Sequence, residues 1–186
     1  MIDPATSRRW SLRLLFVGLA IFLMFLRILP LSTLPPRIPG PDLLLCLALA
    51  WVLRRPDVVS APLLVAVFLL EDMLTMRPPG LWTLMVLFGS EFLRDRASAV
   101  RRLPFAVDWA MAAAVIFFIT IGYRAVLALA MIPRPALWMT AMQTVATMLA
   151  YPAVVGATHL VARALPGPPE RDGTPRGLGR RLGRRA

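Results

Sequence analysis

Apolar positions in this chain fall into long runs, and the polar positions are gathered between them. Six runs can be drawn, over residues 11–28, 41–53, 58–76, 79–93, 104–132 and 135–164. Such runs predict transmembrane helices, because a hydrocarbon core about 30 Å thick calls for about 20 mostly apolar residues. The second and fourth runs are short, and at about 1.5 Å per residue they reach only about 20–22 Å. They predict either re-entrant hairpins or helices shielded from lipid by their neighbours. The expected fold is an all-α integral membrane protein with about six transmembrane helices; four spans with two hairpins is the alternative.

The charged positions set the expected orientation. Arg8, Arg9 and Arg13 lie in the leader, Arg54 and Arg55 in the second-to-third link, and Arg94, Arg96, Arg101 and Arg102 in the fourth-to-fifth link. Arg163, Arg171, Arg176, Arg180, Arg181, Arg184 and Arg185 follow the sixth run. The opposite links carry only Arg37, Arg77 and Arg134. Arginine gathers on the cytoplasmic side, so both termini are expected there, which supports an even number of spans. Residues 1–165 form the expected transmembrane domain. Residues 166–186, PGPPERDGTPRGLGRRLGRRA, predict a disordered arginine-rich cytoplasmic tail. Anionic lipid is its expected contact, at about 1 kcal/mol for each arginine near the surface.

Composition agrees with this plan. Hydrophobic residues make up 58% of the 186, against about 45–50% in soluble domains, and the mean hydropathy is +0.69. All 21 basic residues are arginine and the formal charge is +11. In a soluble protein that charge would point to nucleic acid; here the arginines flank apolar runs, so no nucleic acid is expected. The solitary Cys46 excludes an intramolecular disulfide and a cysteine metal cluster. The first run is followed by PLSTLPP rather than a small-residue cleavage site, so no cleavable signal peptide is expected.

Two adjacent acids, Glu71 and Asp72, interrupt the third run near its outer end. Arg27 in the first run and Arg124 in the fifth fall at a similar depth. A charge at the membrane centre costs about 2.5–3.5 kcal/mol or more, and less near the interface. The expectation is that Glu71 or Asp72 pairs with Arg27 or Arg124; in the plainer reading Arg27 snorkels and Glu71 faces headgroups. Neighbouring helical residues point about 100 degrees apart, so one narrow seam cannot take both acids. Asp72 is the expected anchor or recognition charge. Asp42 and Asp108 read as a cap or first-turn residues at helix N-termini. Glu91 falls near the cytoplasmic end of the fourth run. His159, the only histidine, has no partner in the chain that would build a catalytic or metal site. No cofactor is expected, and no phosphate loop, metal cluster or repeat is apparent. RPPG at 77–80 predicts a tight turn in which Pro79 and Gly80 matter. Trp51, Trp82 and Trp109 fall near run ends, as interfacial tryptophans do. The ten methionines are expected to fill packing gaps rather than line a groove.

PDLLLCLALAWVLRRP, followed by LLVAVFLLEDMLTMRPPGL, resembles the MreD family of bacterial rod-shape determinants. In that family a proline-started second helix precedes a glycine-rich third helix ending in an acid, and then a turn close to Pro-Leu-Gly. Asp72 matches the acid, Pro79-Gly80-Leu81 approximates the turn, and Pro152 in MLAYPAVV fits a late proline of the sixth helix. VFLLED lacks the family glycine before the acid, and Glu71 is an additional charge. The resemblance spans nearly the whole chain and implies a fold similar to the substrate-binding subunits of ECF-type vitamin importers. It also implies a noncatalytic subunit of the inner-membrane elongation machinery that builds lateral peptidoglycan. The implied partners are MreC, MreB, RodA and a class B penicillin-binding transpeptidase. The rival expectation is the substrate-binding membrane subunit of a small-molecule transporter. An intramembrane enzyme is not expected, because no nucleophile–base pair can be drawn.

Overall fold

The computed structural model describes residues 4–29, 40–100, 104–133 and 135–164. The expected tail and Arg37, Arg101, Arg102 and Arg134 lie outside these residues, as does the side chain of His159. Six helices account for the described secondary structure, with no strand among the described residues: α1 Pro4–Ile28, α2 Leu43–Arg54, α3 Ala61–Leu74, α4 Leu81–Val100, α5 Phe105–Leu129 and α6 Leu137–Ala164.

The short second run is one continuous helix of 12 residues, about 18 Å long. It begins where the Asp42 side chain accepts a hydrogen bond from the Leu45 N–H at 3.1 Å, the usual work of an aspartate N-cap. Every residue from Leu44 to Leu53 is buried. α2 is therefore the central helix, packed against α6, α4, α1 and α5. The fourth run differs from expectation. It is neither short nor a hairpin, because α4 continues past Leu93 to Val100 and has 20 residues. Arg94, Arg96 and Ala97 extend it with side chains that favour helix, whereas an apolar run marks only the greasy part of a helix. Glu91 pairs with Arg94 one turn on, at 3.0 Å.

α4 and α5 approach closely at Gly89. A Cβ there would lie 2.6 Å from Ile119 Cδ1 and 2.8 Å from Val115 Cγ1, so the absence of a side chain sets the crossing.

α3 and α5 end alike. The Arg77 N–H donates to the Asp72 carbonyl and the Ile132 N–H to the Leu127 carbonyl, the six-to-one closure of a Schellman cap. The left-handed position within each cap, where glycine is the common choice, is a methionine: Met76 at φ 52 and Met131 at φ 54. MRPPGLW at 76–82 and MIPRPALW at 131–138 are matching turn sequences. The chain thus does contain a short repeat. One inserted residue hides it from a fixed-period comparison.

Two stretches, Arg9–Ile28 and Phe105–Leu129, are long and apolar enough to cross a membrane. Large apolar side chains are also exposed on other helices, among them Leu70 on α3, Phe88 on α4 and Leu149 on α6. Asp42, Glu71, Asp72 and Asp108 are buried instead, the reverse of the usual placement in water-soluble proteins. Trp51 and Trp82 are also buried, so they are not the interfacial residues their positions suggested. Trp51 packs against Phe16 with ring centroids 5.5 Å apart, and Trp82 meets Tyr123 edge-on at 5.2 Å.

Candidate functional site

The polar cluster forms where α1 and α3 end and α2 begins. Arg27, in the last turn of α1, forms ion pairs with Glu71 of α3 and with Asp42 at the head of α2, the latter at 3.3 Å. Three helices are joined through one guanidinium. The Asp42 backbone N–H donates to Thr147 Oγ1 at 3.0 Å, which brings α6 into the same junction. Asp42 is thus both the expected cap and an ion-pair partner.

Glu71 and Asp72 are 1% and 0% exposed, so both face inward. Each has its own seam, because α3 lies against α1 on one side and α4 on the other. The 100-degree step between neighbouring residues turns Glu71 toward Arg27 and Asp72 toward α4. Asp72 forms no ion pair among the described residues. Its Oδ2 accepts from the Gly80 N–H at 3.0 Å, the Thr83 N–H at 3.3 Å and the Thr83 hydroxyl at 2.8 Å. These donors belong to the start of α4, where unpaired N–H groups and the helix dipole favour a carboxylate. Asp72 is therefore a cap supplied from the preceding helix. Gly80 permits this turn because its φ is +86, a conformation costly for other residues. Pro79 precedes Gly80 rather than opening the helix, which begins at Leu81.

Arg124 does not reach either acid. Its Nη1 donates to the Pro135 carbonyl at 3.1 Å and to the Thr140 hydroxyl, tying the end of α5 to the start of α6. Pro152 lies inside α6, where it has no N–H to give to the carbonyl of Met148. That carbonyl instead accepts from the indole N–H of Trp109 at 2.9 Å.

A second ionic cluster lies at the opposite end. Arg54, in the last turn of α2, meets Asp108 in the first turn of α5 at 2.8 Å, and the Tyr151 hydroxyl of α6 donates to the same carboxylate at 3.4 Å. Asp108 is therefore more than a first-turn residue suited to the helix dipole. The pair was detectable, since the six-run plan puts opposite charges at the same depth there. Two arginines read as topology markers also have local work. Arg13 donates to the Val58 carbonyl at 3.1 Å and Arg94 to the Val59 carbonyl at 2.7 Å, holding the link between α2 and α3.

Beside the first cluster lies a cavity of about 340 Å³ among the ends of α2, α4, α5 and α6. Asp42, Arg77, Arg124, Tyr123 and Gln143 belong to its polar wall, and Leu45, Ile116 and Leu127 to its apolar wall. No group of three or more histidine, cysteine or acidic residues that could hold a metal occurs among the described residues. The buried acids are thus matched mainly by donors from other helices, an arrangement suited to fixing helix positions. No family model matches this chain, and no curated protein or solved structure matches it either.

Proposed function

We propose that all six helices are embedded in the bacterial inner membrane, with both termini cytoplasmic, and that the chain is a noncatalytic scaffold of the cell-elongation complex. In this reading it binds MreC and helps to position lateral peptidoglycan synthesis, alongside MreB, RodA and a class B penicillin-binding transpeptidase. The exposed apolar side chains and buried acids support embedding, since lipid favours that placement. α2 is too short to span, but it is sheathed by its neighbours and needs no lipid-matched length.

One observation carries the functional reading. The two parts of the sequence on which the MreD resemblance rests, the acid of the third helix and the glycine turn after it, form a single physical unit. Asp72 Oδ2 accepts directly from the Gly80 N–H. The acid accepts from the turn backbone and glycine suits the positive φ of that turn, so the two features work on one structural device, which supports the reading. Fixing the α3–α4 hairpin in this way suits a rigid surface for partner helices.

The experiment is affinity capture of MreC by the tagged full chain from detergent-solubilised membranes, combined with depletion in growing rods. Capture of MreC and rounding of the cells are expected. Failure to capture MreC together with unchanged cell shape sinks the proposal. The cavity favours a second reading, a substrate-binding transporter subunit. Uptake of a labelled vitamin that depends on this chain, with cell shape unaffected by its loss, would establish that alternative.

A further inference from the structure

The cavity is lined by two guanidinium groups that form no ion pair among the described residues. Arg77 comes from the α3–α4 turn and Arg124 from α5. Arg77 lies over the Trp82 ring, with its Cζ 5.2 Å from the centroid. Arg124 spends Nη1 on the Pro135 carbonyl and Thr140. Each carboxylate at this end has a nearer donor on at least one oxygen, while Glu71 Oε2 and Asp72 Oδ1 accept no hydrogen bond among the described residues. Asp42 and Glu71 share Arg27, and Asp72 accepts from the first turn of α4.

The threonines of the wall do not compete as donors, and Thr140 turns its hydroxyl to the Ala136 carbonyl at 3.5 Å while accepting from Arg124. Thr120, Thr144 and Thr147 give their hydroxyl protons to carbonyls of their own helices, at 2.8, 2.7 and 2.7 Å. The strong donors available to a guest are therefore the two arginines. One guanidinium fork saturates a planar carboxylate. Two forks on separate segments suit the diverging oxygens of a phosphate. The rest of the wall mixes apolar side chains with Tyr123, Gln143 and the Asp42 already paired to Arg27, as in sites that bury most of a ligand while a few polar groups orient it.

We propose that this cavity binds a phosphate ester, with the phosphate held by Arg77 and Arg124 and the organic body of the ester lying toward Leu45, Ile116 and Leu127. The guest is either a membrane lipid or a soluble phosphate ester; the chemistry at the arginines is shared. The site does not depend on the scaffold reading, because capture of MreC tests that role separately.

The test is thermal unfolding of the purified full chain in uncharged detergent, followed by tryptophan fluorescence. The probes are dihexanoylphosphatidic acid, dihexanoylglycerol as the same body without phosphate, and glucose 1-phosphate as a soluble ester. A phosphate probe is expected to raise Tm saturably, by about 5–10 °C at 100 times its Kd, and dihexanoylglycerol is expected not to. A response to phosphatidic acid alone assigns the lipid source, and a response to glucose 1-phosphate alone assigns the soluble one; either supports the site. Arg77→Gln, which removes a half-buried charge, is expected to weaken binding about tenfold or more. Thr120→Phe, which fills the cavity, is expected to abolish it. No saturable shift with either phosphate, an equal shift with dihexanoylglycerol, or undiminished binding in Thr120→Phe overturns the proposal.

Discussion

Arg27 is the residue on which the junction of α1, α2 and α3 depends. Removing one partner of a buried pair leaves the other charge uncompensated, which costs roughly 3–5 kcal/mol when burial is complete and less for this half-exposed guanidinium. Glu71→Gln and Arg27→Met should each lower unfolding stability in a detergent titration by roughly 2–4 kcal/mol. A double-mutant cycle should return a larger coupling for Arg27 with Glu71 than with Asp42, because Asp42 is also held by its own helix. Zero coupling between Arg27 and Glu71 would contradict the junction. Asp72 makes a different prediction. Asp72→Ala removes the cap of α4 and should cost about 1–2 kcal/mol. Asp72→Asn keeps an acceptor for Gly80 and Thr83 and should cost clearly less. An asparagine as damaging as alanine would mean that the charge, rather than the cap, is what this position supplies.

At the scale of the helix, Pro152 and Trp109 act as a matched pair. The proline leaves the Met148 carbonyl without its helical donor, and the indole of α5 supplies one. An unsatisfied carbonyl facing lipid costs several kcal/mol. Trp109→Phe should therefore destabilise the wild-type helix more than the Pro152→Ala helix, in which the backbone bond is restored. Equal losses in the two backgrounds, measured by the same detergent titration, would show that the indole bond is incidental. The Schellman caps carry a second prediction. Met131 is 93% exposed in a conformation that costs an L-residue about 1–2 kcal/mol. Met131→Gly should raise stability by about 1 kcal/mol. A loss instead would show that the methionine side chain makes a favourable contact with lipid or a partner.

For the whole molecule, the proposed six-span plan would put the α3–α4 and α5–α6 turns on the face opposite the termini. Met76 and Met131 mark those turns and are 96% and 93% exposed, while Ser98 near the end of α4 is exposed on the other face. In a Cys46→Ala background, Met76→Cys and Met131→Cys should react with an impermeant maleimide added outside intact spheroplasts. Ser98→Cys should react only after lysis. Labelling of Ser98→Cys from outside would break the six-span plan.

Sequence alone determined the helical character and the approximate run positions. These follow from composition along the chain, and hydrophobic length is read one segment at a time. Sequence also ruled out one narrow seam for both Glu71 and Asp72, since helix geometry fixes the angle between neighbours. Tertiary structure alone decided which seam each acid faces. That choice depends on how α3 is rotated between α1 and α4, and hydropathy carries no record of rotation in helices that are greasy on nearly every side. The same reason explains why Glu71 rather than Asp72 meets Arg27 and why Arg124 binds the start of α6. It also explains why two tryptophans near run ends turn inward. Pairing is a property of neighbouring helices, and it exists only once they have packed.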